Sequence, residues 1–154
     1  EEEATVASVV QACLYGAVEG KKRSKGLVRQ VPSPSVYKRT ELAVDLACRN
    51  SDIYKTMADL EAYVGTGLAI HETVPTAIGL FVAANGDPFT TVYAAANIGN
   101  DTDTIATIAG ALAGALRGFA SVPEHLYRQV AEVNQVDLEG ISKAIVEVIQ
   151  KRHS

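Results

Sequence analysis

The chain has 154 residues, of which 47% are apolar and 21% charged, with a formal charge of −4 at neutral pH. This is the balance of one folded domain and not of a disordered chain. The acidic excess leaves no basic stripe to neutralise phosphates, so nucleic acid is not an expected partner. The uncharged run Thr104 to Leu116 falls short of the roughly 18 apolar residues that a membrane span needs. The chain opens on Glu1-Glu2-Glu3 instead of a basic segment and an apolar one, so no signal peptide is expected. Cys13 and Cys48 sit in apolar helical contexts without metal-ligand spacing and read as free thiols of a reducing compartment. Together these features predict a cytoplasmic protein with no membrane partner. The absence of an initial methionine predicts a piece of something longer or a trimmed N-terminus.

Helical periodicity begins almost at once. Val6, Val9, Val10, Cys13, Leu14 and Ala17 fall at spacings of three and four over residues 4–19, with Gly20 as a C-cap and Lys21-Lys22-Arg23 at the negative end of the helix dipole. A short second helix is expected over Lys25 to Val31, before Pro32-Ser33-Pro34-Ser35 breaks the chain. Leu42, Leu46 and Ala47 predict a helix to about Arg49. Ser51 then reads as the N-cap of a helix whose apolar face is Ile53, Met57, Leu60 and Val64. After Gly65-Thr66-Gly67, the sequence Thr73-Val74-Pro75 resembles a helix start, because proline is tolerated in a first turn. That helix continues through Ile78, Phe81 and Val82 to Asn85-Gly86, and Asp87-Pro88 opens another that runs to about Ala96. A polar turn spans Asn97 to Asp103, and a small-residue helix follows from about Thr102 to Arg117, stopped by Gly118. Two closing helices cover Pro123 to Val133 and, with Asp137 as N-cap, up to about Lys151. Nothing alternates with period two for long enough to be a strand, and Lys25 to Val31 alone is ambiguous. The expectation is a single all-α domain over residues 1–154 with about eight helices.

The stretch Asn97-Ile98-Gly99-Asn100-Asp101-Thr102-Asp103-Thr104 concentrates oxygen ligands where a helix begins. Such ligands suit Mg²⁺, Mn²⁺ or Ca²⁺ and not zinc. Residues two apart on a helix point about 200° apart. If Asp101 and Asp103 share a site, Asp101 must therefore lie in the turn or at the N-cap, with Asp103 and Thr104 on the first turn. A purely structural role is the competing reading, in which Asp101 or Thr102 caps the helix and Asp103 complements its dipole. An EF-hand is excluded because Ile105 and Leu112 stand where oxygen ligands are needed. An Asp-x-Asp of the nucleotide-sugar transferase kind would follow a strand, and here an alanine-rich helix precedes it. In the helix that follows, Ala106, Gly110, Ala113 and Gly114 leave a nearly bald face, which predicts close approach of a neighbouring helix despite the low helix propensity of glycine.

Other candidates are weaker. His71-Glu72 begins like a zincin motif, but Pro75 stands where the second histidine belongs. Gly65-Thr66-Gly67 lacks the third glycine and the preceding strand of a dinucleotide fingerprint. His125 and His153 fall on polar helix surfaces, and no nucleophile elbow links the Ser, His and Asp residues. Phe81, Tyr93 and Tyr127 fall at helical spacing and are expected in the core.

Taken together, Gly65-Thr66-Gly67-Leu68, Glu72-Thr73-Val74-Pro75-Thr76-Ala77-Ile78 and Gly99-Asn100-Asp101-Thr102-Asp103-Thr104-Ile105-Ala106-Thr107-Ile108-Ala109-Gly110-Ala111-Leu112-Ala113-Gly114-Ala115 resemble the ADP-ribosylglycohydrolase family. The wording is most similar to the branch that cleaves poly(ADP-ribose) and ADP-ribosyl-serine. The resemblance runs from about Tyr63 to Val122. It implies an all-α fold and two Mg²⁺ ions, or Mn²⁺, on the ribose hydroxyls beside the scissile bond. By position, Asp101, Asp103 and Thr104 match metal ligands of that family, and Leu68 matches a residue that touches the bound ADP-ribose. Asn100 stands where many relatives have glycine.

The family's remaining metal ligands form a Thr-Asp-Asp block in an N-terminal half that also carries a glycine-rich start, the catalytic glutamate and most phosphate contacts. No Thr-Asp-Asp occurs in this chain. The resemblance therefore implies the C-terminal half of a hydrolase that removes ADP-ribose from modified proteins or poly(ADP-ribose), with no catalytic acid or base of its own. The expected partners are ADP-ribose or an ADP-ribosylated protein, and the N-terminal half or a second chain to cover exposed apolar faces. A non-catalytic structural or ADP-ribose-binding module is the alternative, and a Mg²⁺-dependent hydrolase of another ribosyl substrate is a third.

Overall fold

The computed structural model describes residues 4–29 and 31–153, the side chain of His153 excepted. Among these residues it contains eight α-helices and a 3-10 turn and no strand, as the periodicity predicted. The chain divides into two compact units, Glu1–Ser121 and Val122–Ser154.

The first unit holds α1 (Val6–Ser24), α2 (Val36–Arg49), α3 (Ile53–Tyr63), α4 (Ile70–Ala83), α5 (Pro88–Asn97), α6 (Thr102–Arg117) and the 3-10 turn Phe119–Ser121. Thr5 and Ser8 form a reciprocal capping box at the start of α1, which turns Val10 into the core. Gly20 lies inside this helix and does not end it; Lys25 is the C-cap, with Lys21, Lys22 and Arg23 in the last turn as expected. The expected helix over Lys25 to Val31 is not formed. Gly26 has φ 84°, and Leu27 closes a turn on the Ser24 carbonyl at 3.1 Å, while Gln30 lies outside the described residues. The apolar run there is short, and Leu27, Val28 and Val31 stay exposed, so no burial favours a helix over the turn. Ser35 caps α2, whose buried side is Thr40, Ala43 and Ala47, with Leu42 at its margin. The cap of α3 is Asp52, not Ser51: the Asp52 carboxylate takes the Tyr54 N–H at 3.0 Å.

Helix α4 forms the centre of this unit. Thr73, Pro75, Thr76, Ala77, Ile78, Gly79, Leu80 and Phe81 are all buried on it, against α2, α6 and α3. It starts at Ile70, so Pro75 is interior and not at a helix start. A proline there removes the N–H that would bond the His71 carbonyl. The Arg39 guanidinium of α2 takes over that carbonyl at 3.3 Å, which is why the position tolerates the ring. The core cluster is Ala43, Leu60, Val64, Ala77, Leu80, Ala94, Ala95, Ile98, Ile105 and Ala109, half of it alanine, so the helices lie close. Two glycines mark the tightest approaches. A Cβ on Gly79 would lie 2.9 Å from Leu60 Cδ2 and 3.1 Å from Ala43 Cβ, and one on Gly110 would lie 2.9 Å from Val92 Cγ2 of α5. Gly114 faces open space, so only part of the bald face of α6 serves close packing.

The second unit contains α7 (Glu124–Asn134) and α8 (Leu138–His153). Gln135 ends α7 in the left-handed conformation, and Asp137 starts α8 by accepting the Gly140 N–H at 2.8 Å. No residue of α7 is buried, and Val130, Val133, Ile141, Ile145, Val148 and Ile149 are each at least half exposed. No helix of the described residues is long and apolar enough to cross a membrane.

Two outcomes test this account in the intact protein. Gly110→Val overpacks the α5–α6 contact and lowers stability by about 1–3 kcal/mol in urea unfolding. Asp87, the N-cap of α5, accepts from the Thr90 N–H at 2.8 Å, and this bond, then the Thr90 hydroxyl and the nearby Arg117 charge, hold its carboxyl below the ordinary value. Asp87→Ala is expected to cost about 1 kcal/mol at neutral pH. Because the folded-state value is depressed, the wild-type advantage is full above the unfolded value and is lost as pH falls through the folded one. Unfolding midpoints of the two proteins should therefore converge below about pH 4.

Candidate functional site

The Asn97–Thr104 turn joins α5 to α6. Gly99 and Asn100 both have positive φ, 92° and 60°. Asparagine is among the few side chains that tolerate this left-handed region, so Asn100 keeps the turn that a glycine would make. Asp101 follows as the N-cap of α6, and Asp103 and Thr104 lie on its first turn, the arrangement that the spacing required. The Asp101 carboxylate bonds no first-turn amide and instead accepts the Thr104 hydroxyl at 2.9 Å. Asp101 is 7% exposed, whereas Asp103 and Thr104 face solvent. Among the described residues neither aspartate forms an ion pair.

The donor set is carboxylate and hydroxyl oxygen only, which fits a hard divalent cation. It is incomplete, because a cation of that class takes six or more ligands. Among the described residues no three His, Cys, Asp or Glu side chains gather into a metal site.

A second loop is bonded to this turn. The Asp101 N–H donates to the Thr66 carbonyl at 3.0 Å, so Gly65-Thr66-Gly67-Leu68 lies against the start of α6. Thr73 and Thr76 of α4 donate their hydroxyls to the Gly67 and Gly65 carbonyls, each at 2.7 Å. The Gly67 N–H donates to the Glu72 carboxylate at 3.0 Å. Arg39 donates to the Val64 carbonyl at 2.8 Å and lies 3.6 Å from Glu72. Leu68, held at the end of this loop, is 85% exposed.

Arg39 was not picked out from the sequence, where Glu72, Thr73 and Thr76 entered only within the family resemblance and Glu72 also beside His71 as an incomplete metal motif. The usable signals were the two glycines, which leave room for a carboxylate, and Pro75, which orphans a carbonyl four residues back.

His125 is exposed on α7, and the His153 side chain lies outside the described residues. Phe81 is buried and Tyr127 half-buried, but Tyr93 is 46% exposed and stacks on Phe89 at 6.3 Å, so it is a surface and not a core residue. Cys13 and Cys48 are free, and burial pushes the Cys13 thiol up, away from the reactive thiolate. A groove of about 780 Å³ is floored by Val74, Ile78, Ile108 and Leu112 and edged by Lys21, Lys22, Lys25 and Lys38, and none of Leu68, Asp101, Asp103 or Thr104 lines it.

Comparison with known proteins places this arrangement. The family model for ADP-ribosylglycohydrolase matches residues 1–154. The uncharacterized protein YegU of Escherichia coli (strain K12) is 35% identical over 123 residues, 79% of this chain and 36% of YegU. The ADP-ribosylhydrolase ARH3 of Homo sapiens is 35% identical over 107 residues, 62% of this chain and 29% of that protein. ARH3 of Mus musculus is 37% identical over 86 residues, 49% of this chain and 23% of its own. The chain thus spans about a third or less of these relatives. No solved structure matches it. The chain belongs to the ADP-ribosylglycohydrolase family.

Proposed function

We propose that the protein containing this chain is a Mg²⁺-dependent hydrolase that cleaves the glycosidic bond between ADP-ribose and a modified protein, or within poly(ADP-ribose). The observation that carries this reading is the buried Asp101 carboxylate presented beside Asp103 and Thr104 at the start of a helix packed into the core. Membership of the family supports it, as does similarity to relatives named as ADP-ribosylhydrolases.

Asp101, Asp103 and Thr104 would hold two Mg²⁺ ions, or Mn²⁺, with further ligands from the rest of the protein. When bound, the ions supply Lewis-acid stabilisation and a template for the ribose hydroxyls. The residues of this chain divide the work. Asp101, fixed through its backbone and the Thr104 hydroxyl, gives a carboxylate whose direction is set before any ligand arrives. The Thr104 hydroxyl spends its proton on Asp101, which leaves its lone pairs free to face a cation. Asp103 reaches outward from the first turn. Leu68 offers an exposed apolar surface against the bound ADP-ribose. The carboxylate that activates water or protonates the leaving group would come from outside residues 1–154, and the N-terminal half of the same enzyme is the partner this requires.

The test is Asp103→Ala in the full-length protein, with release of free ADP-ribose from an ADP-ribosylated peptide followed by mass spectrometry in Mg²⁺. Turnover should fall by roughly 100-fold or more with the unfolding midpoint nearly unchanged. A mutant that keeps near-normal turnover removes the metal argument. A wild-type protein that binds ADP-ribose without releasing it from the peptide replaces the hydrolase with a binding module.

A further inference from the structure

The Gly65–Leu68 loop is bonded at every one of its first three carbonyls. Thr76 takes Gly65, Asp101 takes Thr66 and Thr73 takes Gly67. Thr73 and Thr76 hold the loop to α4, and Thr66 is the point at which it meets the start of α6.

Glu72 sets how the loop lies between these anchors. Its Oε2 accepts the Gly67 N–H at 3.0 Å, and a Cβ on Gly67 would stand 2.6 Å from the same oxygen. A Cβ on Gly65 would stand 2.8 Å from the Glu72 carboxyl carbon. The carboxylate thus fills the space on one side of the loop that side chains at both glycines would need. The Asn100 amide nitrogen is 3.6 Å from the same Gly67 position, so the turn that carries Asp101 also comes close to the loop there. Behind Glu72 stands Arg39. One guanidinium nitrogen donates to the Val64 carbonyl just before the loop and to the His71 carbonyl just after it, and lies 3.6 Å from Glu72 Oε1. Arg39 and Glu72 are each about three-quarters buried, where the attraction between their charges is screened less than at an open surface.

We propose that Glu72, braced by Arg39, is a positioning residue that holds the Gly65–Leu68 loop in the conformation that meets the Asp101 turn and so fixes Asp101 and Leu68 together. The proposal rests on the hydrolase reading for its consequence, a preset site, but the coupling itself belongs to this chain. Loss of the Glu72 carboxylate frees the Gly67 N–H, lets the loop move from the turn, and loosens the Thr66–Asp101 bond without touching the α6 core.

The test uses the full-length protein with Glu72→Ala, Glu72→Gln and, as a control on the exposed side of α3, Glu61→Gln. Hydrogen exchange is read at the Gly67 and Asp101 amides and at Ala109 and Ala113 of α6, alongside Mn²⁺ titration by electron paramagnetic resonance. Glu72→Ala should speed exchange at Gly67 and Asp101 at least about 10-fold, leave Ala109 and Ala113 protected, and weaken Mn²⁺ binding by about 10-fold. Glu72→Gln keeps an acceptor for Gly67 and should stay within about threefold of wild type, and Glu61→Gln should change nothing. Unchanged exchange at Asp101, or unchanged Mn²⁺ affinity, overturns the proposal. If Glu72→Ala also exposes the α6 amides, Glu72→Asp takes its place: one methylene shorter and still charged, it should give the same two local effects, and their absence is equally decisive. Wild-type protein that binds no Mn²⁺ overturns the hydrolase reading and the functional consequence with it, and exchange at Asp101 then decides alone whether Glu72 holds the turn.

Discussion

The Asp101 N–H bonded to the Thr66 carbonyl at 3.0 Å is the one backbone link between the two loops that carry the candidate site. Each loop alone is a short polar connection between helices, and such connections are mobile unless something fixes them. The link fixes both. On one side it reaches α6, which buries Ile105, Ala109 and Ala113. On the other it reaches α4 through two threonine hydroxyls and α2 through Arg39. The site therefore inherits its rigidity from three core helices, which is the arrangement that a preorganised ligand set needs.

The core explains how so many helices converge on so small a region. Half of its clustered residues are alanine, and Gly79 and Gly110 stand where a methyl group would meet a neighbouring side chain. Small side chains bury little area each, so this packing relies on close, dense contact and on few large anchors, chiefly Leu60, Leu80, Phe81 and Ile105. The second unit has no such arrangement. Its two helices are amphipathic without a buried face, consistent with a chain that covers about a third or less of its relatives' length.

Much of the fold was legible because its signals are local. Asp87-Pro88 names a helix start through a side-chain cap and a fixed φ, and Gly118 names a stop. The bounds of α6, and the places of Asp101, Asp103 and Thr104 on it, followed from that kind of evidence. What was not legible depended on partners far along the chain. Pro75 looked like a helix start because its missing N–H normally demands one; only Arg39, supplied by another helix, makes an interior place acceptable. The Lys25 to Val31 stretch had helical spacing but no surface to bury it. Gly20 had the identity of a C-cap but lies within α1, and Asp52 displaced Ser51 because one residue's shift lets its carboxylate take the Tyr54 N–H. The contacts of Glu72 were not legible because a motif template asks what lies four residues on, whereas they are made to two glycines that precede it.

The loop-to-turn bond also orders events in time. Helices such as α5 and α6 form from neighbours in sequence, on sub-microsecond scales, before any tertiary contact is needed. The Thr66–Asp101 bond closes a segment that contains all of α4 and α5, and it has no geometry until α4 has settled between α2 and α6. Such non-local contacts bear the loop-closure entropy and form late. The residues of the candidate site thus come together only when segments distant in sequence meet, unlike the turns of the helices that orient them.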